Sequence, residues 1–158
     1  MQAGDPAPDW KLEAAVSGRA VDKAGLSGRR VVLVFHGPRT TDAPKEVGKA
    51  VRAEHADAGD VFVANVINLK SMGGLWKKVA TAQVNQTYEK MAAKLTEKGM
   101  DPVEYVVLCP DWDNAVAPLF GVEDSNQEAA AAVIEDDGTI LGVVAGGDLP
   151  SGVLKLLD

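Results

Sequence analysis

One thiol, two imidazoles and one Arg-Thr-Thr-Asp stretch hold most of the reactive chemistry in this chain. Cys109 is the only cysteine, so no disulfide forms within the chain and any thiol chemistry runs through this one sulfur. Asp111 and Asp113 follow it closely, and nearby carboxylates raise a thiol pKa, disfavouring the thiolate that attacks disulfides and peroxides. The expected state of Cys109 is therefore a small buried hydrophobe, with a peroxide-sensing thiol as the alternative. His36 and His55 are the only histidines, and no zinc-ligand spacing is present. Asp111-Trp112-Asp113-Asn114 opens like a calcium loop, but Ala115, Val116 and Val122 stand where that loop needs Asp or Asn, Gly and Glu. No metal site and no cofactor are expected.

Arg39-Thr40-Thr41-Asp42 reads as a helix start. Backbone amides at such a start attract anions, and a neighbouring arginine adds to the pull. Asp42 competes for the same amides, so plain capping by Thr41 or Asp42 is the simpler reading. The Gly73-Gly74 loop lacks the second glycine, lysine and Ser/Thr of a phosphate loop. His36-Gly37 after an apolar strand also suits an oxyanion strand, but no Gly-x-Ser-x-Gly elbow accompanies it.

The elements that must position these residues follow from hydrophobic pattern. Val31 to Phe35 is a continuous β-branched and aromatic run, expected as a buried parallel strand. A helix follows, with Pro44 in its first turn, Val47 and Val51 on its inner side, and Gly59 at its end. Val61 to Ile67 is a second buried strand. Val84, Tyr88, Met91, Ala92 and Leu95 give an amphipathic helix ended by Gly99. Residues 103–109 are expected as the third strand, and 113–120 as a short helix broken by Gly121. Asp136-Asp137-Gly138-Thr139 between two apolar runs signals a hairpin, and 149–157 closes the chain as a helix. Residues 1–30 suggest short strands or a hairpin. The alternation implies α/β architecture: a central mixed five-stranded sheet with helices on both faces, ordered 140–145, 130–135, 31–35, 61–67, 103–109.

The chain has 158 residues, 46% of them hydrophobic and 25% charged, the balance of an ordinary globular domain rather than a disordered chain. One domain spanning 1–158 is expected. A net charge of −7 argues against binding nucleic acid through phosphate neutralisation. No apolar run approaches the roughly 20 residues a membrane helix needs. Residues 70–98 carry six lysines against two glutamates, whereas 101–137 carry ten acids and no lysine or arginine. Screening limits attraction between such exposed patches, so a monomer or a weak, salt-sensitive dimer is expected.

The element order, with a hairpin and helix at the end, resembles the thioredoxin-like superfamily in its thiol-peroxidase and extracytoplasmic-thioredoxin forms. Gly4-Asp5-Pro6-Ala7-Pro8-Asp9-Trp10 is similar to the "GxxAPDF" opening of those families. Leu26-Ser27-Gly28-Arg29-Arg30 is similar to their "LxGK" lead, and Asp136-Asp137-Gly138 with Ile140 to their "DxDGxI" hairpin. A closer resemblance is to the uncharacterised YtfJ-like branch. Its "GRT" triplet is matched by Gly37-Pro38-Arg39-Thr40, and its "IVN" strand end by Val66-Ile67-Asn68. The opening starts three residues after Met1, as in leaderless relatives, which makes the cytoplasm the expected compartment. Removal of a leader would make it the periplasm.

Set against that resemblance, the usual redox groups are missing. Counted from Phe35, the two positions of a Cys-x-x-Cys motif hold Thr40 and Ala43. If Thr41 is placed on the threonine of a peroxidase Thr-x-x-Cys, Pro44 falls on the cysteine. The proline that normally precedes the fourth strand falls at Ala129 or a neighbour, and no proline lies between Pro118 and Pro150. An alcohol cannot replace a thiol in disulfide exchange. The expected function is a redox-inactive binding or accessory module for an unknown protein or small anion, and activity as an enzyme is not expected. A residual thiol oxidoreductase, peroxiredoxin-like enzyme or sensor using Cys109 is the alternative. Binding is expected at the C-terminal ends of the parallel strands, through His36, Gly37, Pro38, Arg39, Thr40, Thr41 and Ala129. Gly73, Gly74 and Trp76 are expected nearby.

Overall fold

Seven consecutive residues, Arg30–His36, form β3, and six of them are buried. A strand covered on both faces has no polar side to show, which is why its sequence lacks alternation. β3 pairs in parallel with β4 (Val61–Asn68) on one side and antiparallel with β6 (Ala130–Ile134) on the other. β5 (Leu108–Asp111) extends the sheet beyond β4, and β7 (Ile140–Ala145) extends it beyond β6. The order β5-β4-β3-β6-β7 is the one expected from sequence. The computed structural model describes residues 2–158.

Three helices of eight residues or more accompany the sheet: α1 (Asp42–Glu54), α2 (Lys77–Glu97) and a C-terminal helix, Leu149–Leu157. The crossovers β3-α1-β4 and β4-α2-β5 step in the same direction across the sheet. Right-handedness therefore places both helices over the same face. Side-chain parity agrees. Val32 and Val34 of β3 pack with Val47 and Val51 of α1 and with Leu149, Val153 and Leu157. Ile67 of β4 and Leu108 of β5 pack with Ala80, Val84 and Tyr88 of α2. The opposite face carries Val31, Leu33, Phe35, Phe62 and Cys109. Helices were expected on both faces, but this one is closed by Trp10, by Val21 of the antiparallel hairpin β1 (Lys11–Glu13) and β2 (Ala20–Asp22), and by Phe120, because both crossovers lie on the other side. Phe120 lies 5.6 Å from Phe35 and 6.0 Å from Trp10, ring centre to ring centre.

Local chemistry moved several expected boundaries. Residues 103–109 do not form the third strand. Asp101 accepts from the Val103 amide at 3.0 Å and Pro102 fits a first helical turn, so α3 (Pro102–Tyr105) forms first and β5 starts at Leu108. Pro110 sits in β5, where an edge strand tolerates a missing amide. The expected helix over 113–120 contracts to a 3₁₀ turn, Ala117–Phe120. α1 ends at Glu54, before Gly59. Neither Thr41 nor Asp42 caps it through a side chain: Thr41 occupies the cap position without such a bond, and Asp42 is already in the first turn. In contrast, the Asp-Gly hairpin forms as expected. Gly138 adopts φ +89°, and Asp137 accepts from the amide and hydroxyl of Thr139 at 2.9 and 2.7 Å. Among the described residues no helix is long and apolar enough to cross a membrane.

Candidate functional site

The C-terminal end of β3 is tied down by hydrogen bonds that begin at Gly37. Its amide donates to Thr40 Oγ1 at 2.9 Å, and its carbonyl accepts from the Thr40 amide at 3.1 Å. The Thr40 hydroxyl in turn donates to the Ser125 carbonyl at 2.7 Å. This bond ties the turn into α1 to the loop that leads to β6. The loop also packs close: a Cβ at Gly37 would lie 1.5 Å from Asn126 Oδ1, so only glycine fits without displacing that side chain. Thr40 is thus a tie between two segments, its hydroxyl already engaged on both sides.

His36 is buried at the base of this turn. Its Nδ1 lies 3.3 Å from the Gly37 carbonyl. A carbonyl only accepts, so Nδ1 carries the hydrogen and Nε2 presents a lone pair. Burial lowers the imidazole pKa, opposed in part by the Gly37 carbonyl, which favours the neutral ring at physiological pH. Nε2 is buried without a hydrogen-bond partner, and the same holds for Asn65 Oδ1 on the neighbouring β4.

Both residues line a cavity of about 330 Å³ between α1 and α2. Its floor is the sheet: His36 of β3, Asn65 and Ile67 of β4, and Leu108 of β5. Pro44 of α1 forms one wall, and Ala80, Val84 and Met91 of α2 form the other. Leu69 and Met72 close one end. The exposed residues Lys45, Gln83 and Thr87 also border it. The chemistry is therefore apolar walls over a floor in which His36 Nε2 and Asn65 Oδ1 are closed off from solvent, with charge and further polar groups at the solvent side.

Four of the seven expected binding residues meet at this cavity: His36, Gly37, Pro38 and Thr41. Thr40 is turned to Ser125 instead. Arg39 is exposed and makes no hydrogen bond or ion pair among the described residues. Ala129 is buried at the entrance to β6, packed with the α1-side core, and its carbonyl accepts from the Gly146 amide at 3.1 Å. Gly73, Gly74 and Trp76 do not line the cavity, although their neighbour Met72 does. Leu75 and Trp76 stand 95% and 62% exposed ahead of α2. Asn65 escaped the sequence reading. Its one available signal was a lone amide within the apolar run Val61–Ile67.

Cys109 lies apart from all of this. It is fully buried on the opposite sheet face, among Phe35, Phe62 and Phe120. Burial, with a smaller push from the Asp111 carboxylate, raises its thiol pKa to about 12. The Asp111 carboxylate is engaged by the amides of Ala115 and Val116 at 3.1 and 3.0 Å, ordering the loop after β5. Among the described residues no three His, Cys, Asp or Glu side chains gather as a metal site would require.

No family model and no curated protein matches this chain. Solved structures do. A proposed thiol:disulfide interchange protein DsbE from Chlorobium tepidum aligns with a TM-score of 0.66 at 18% identity, covering 100% of this chain and 99% of that one. The exposed lipoprotein thioredoxin Etrx1 from Streptococcus pneumoniae aligns at 0.65 and 17%, over 95% and 98%. The peroxidoxin BcpB from Mycobacterium tuberculosis aligns at 0.60 and 20%, over 99% and 94%. The fold is thioredoxin-like.

Proposed function

We propose that residues 1–158 act as a single thioredoxin-like domain that works by binding rather than by thiol exchange. The ligand-binding position is the cavity between α1 and α2, bordered by His36, Gly37, Pro38 and Thr41. The observation that carries this reading is the placement of the one thiol. Disulfide exchange needs an accessible thiolate, whereas Cys109 is fully buried with its pKa raised to about 12. The turn into α1 holds Thr40 and Ala43 instead of cysteines. The neighbours named as thioredoxin, peroxidoxin and interchange proteins share the fold, and sites grafted on a fold differ between its members. The YtfJ-like assignment belongs to the same proposal. In its support, Thr40 of the Gly37-Pro38-Arg39-Thr40 stretch has a specific task in holding the Ser125 loop.

The direct test is dithiothreitol-driven reduction of insulin, with wild type and Cys109→Ala compared side by side. Both proteins are expected to stay at the rate of the reductant alone. Turnover by the wild type that the variant lacks would overturn the redox-inactive reading.

A further inference from the structure

Between β4 and α2 the chain turns outward. Two 3₁₀ turns, Lys70–Met72 and Gly74–Trp76, fill the gap, and residues 73–79 are all exposed. Gly74 takes φ +63°, a left-handed angle open to glycine, just before Leu75. Leu75 is 95% exposed, Trp76 62% and Val79 44%. Six large apolar side chains stand exposed among the described residues, and these three fall within five positions. Single exposed apolar residues are ordinary, whereas a cluster marks an interaction surface. Leu75 makes a projecting tip rather than a groove, because almost nothing of the chain covers it.

The charge beside the tip has one sign. Lys70, Lys77 and Lys78 flank it, and no Asp or Glu occurs between Asp60 and Glu89. At about 100° per residue, Lys78 and Val79 lie on the side of α2 away from Ala80, Val84 and Tyr88. Lys77 Nζ sits 5.0 Å from the Trp112 ring centre, whereas Lys70 and Lys78 have no ion pair among the described residues. Asp111 approaches from β5, where its carbonyl accepts from the Leu69 amide at 3.1 Å, but its carboxylate is turned to the Ala115 and Val116 amides. Asp113 is the exposed acid of that loop. The net charge of −7 opposes an anionic partner only weakly from beyond the screening length of about 8 Å. Protein interfaces are enriched in Trp but depleted in Lys. Bilayer surfaces accept both: tryptophan settles at the headgroup level, and lysine keeps its charge in water while its stem lies on apolar surface.

We propose that the tip formed by residues 70–79 docks on an anionic lipid surface, with Leu75 and Trp76 entering the headgroup boundary and Lys70 and Lys78 meeting the lipid phosphates. Such contact lies on the membrane and needs no spanning helix. Neither the cavity nor Cys109 takes part, so insulin turnover would leave this surface standing.

The test uses the full chain with sucrose-loaded vesicles of phosphatidylcholine alone, or of equal parts phosphatidylcholine and phosphatidylglycerol. Sedimentation measures binding, and tryptophan emission reports the burial of Trp76. The protein is expected to bind the mixed vesicles at least about tenfold more tightly than the neutral ones, since each lysine near such a surface is worth about fivefold. Added salt should weaken that binding. Emission should shift to the blue on binding, and Trp76→Phe should remove the shift while the protein still sediments. Leu75→Ser should weaken binding about tenfold, and Lys70→Gln and Lys78→Gln about fivefold each. Circular dichroism checks the fold of each variant, and where one fails to fold, the lipid and salt series of the wild type decides alone. Equal binding to both vesicles, binding unchanged by Leu75→Ser, or no sedimentation with the mixed vesicles at millimolar lipid would each overturn the proposal. A blue shift that grows with protein concentration in the absence of vesicles would assign the tip to a second copy of this chain and overturn it as well.

Discussion

The Cys109 thiol provides the sharpest quantitative test of the redox-inactive proposal. The perturbation is chemical: iodoacetamide applied to the native protein. With a pKa of about 12, the thiol at pH 7.4 is ionised to roughly 1 part in 40,000, against about 2.5% at its ordinary value of 9.0. Ionisation alone then slows alkylation about 1,000-fold. Access imposes a second limit, because Cys109 is 0% exposed. Reaction must wait for opening, and a domain stable by at least about 5 kcal/mol spends no more than roughly 2 × 10⁻⁴ of its time unfolded. Both routes lead to a native rate at least about a thousandfold below that in guanidinium at the same pH. Mass spectrometry of timed, quenched samples reads the two rates. A native rate within tenfold of the denatured one, with a pH midpoint below ~8.5, would refute the reasoning and restore Cys109 as a reactive thiol. The same shift has a linkage consequence. The folded thiol holds its proton while the unfolded one loses it near 9.0. Its contribution to stability is complete below that pH and lost as pH rises toward about 12, with a slope of at most ~1.4 kcal/mol per unit. Cys109→Ala removes that component from the alkaline unfolding profile.

Two further outcomes concern the turn and the cavity floor. His36 titrates the other way. Its folded pKa is lowered by burial, so below about 6.5 the unfolded chain binds the extra proton and stability falls with falling pH, by at most ~1.4 kcal/mol per unit. Urea midpoints between pH 7.5 and 5 should show that loss in the wild type and a flatter profile in His36→Leu. Thr40→Val leaves the Gly37 amide without its acceptor and the Ser125 carbonyl without its donor. It should cost about 1–3 kcal/mol in urea denaturation, with Thr40→Ser recovering most of it.

The sheet was legible because its strands carry the strongest local signal. Val31 to Phe35 offers no polar alternation, and Asp137-Gly138 allows little besides a turn. Where the reading slipped, a short-range polar group outweighed the apolar pattern. Val103 to Val107 looks like strand, but Asp101 and Pro102 start a helical turn ahead of it. Thr41 and Asp42 look like caps, yet the cap position adopts helical angles and the side-chain bonds at the turn go to Thr40. Composition around 113–120 suits a helix, but Asp111 ties up the amides of Ala115 and Val116, leaving only a 3₁₀ turn beyond them.

The candidate site was legible only in part, because its second half depends on topology. His36, Gly37, Pro38 and Thr41 follow from the rule that open α/β sheets bind at the strand ends. Asn65, Met72 and Met91 follow from no such local rule. They meet because two successive right-handed crossovers lay α1 and α2 over one face, with β4 running beneath both. The same geometry separates the cavity from the thiol. Leu108 and Cys109 are neighbours in β5, and successive strand residues point to opposite faces. Leu108 accordingly lines the cavity, while Cys109 enters the aromatic core behind the sheet. Shifting the register by one residue would bring the sulfur to the cavity, but it would also turn Leu108 away from Val84 and Tyr88 of α2 and invert every other buried position of the strand. Packing on both faces holds that register. The thiol is therefore kept on the far side of the sheet from the cavity.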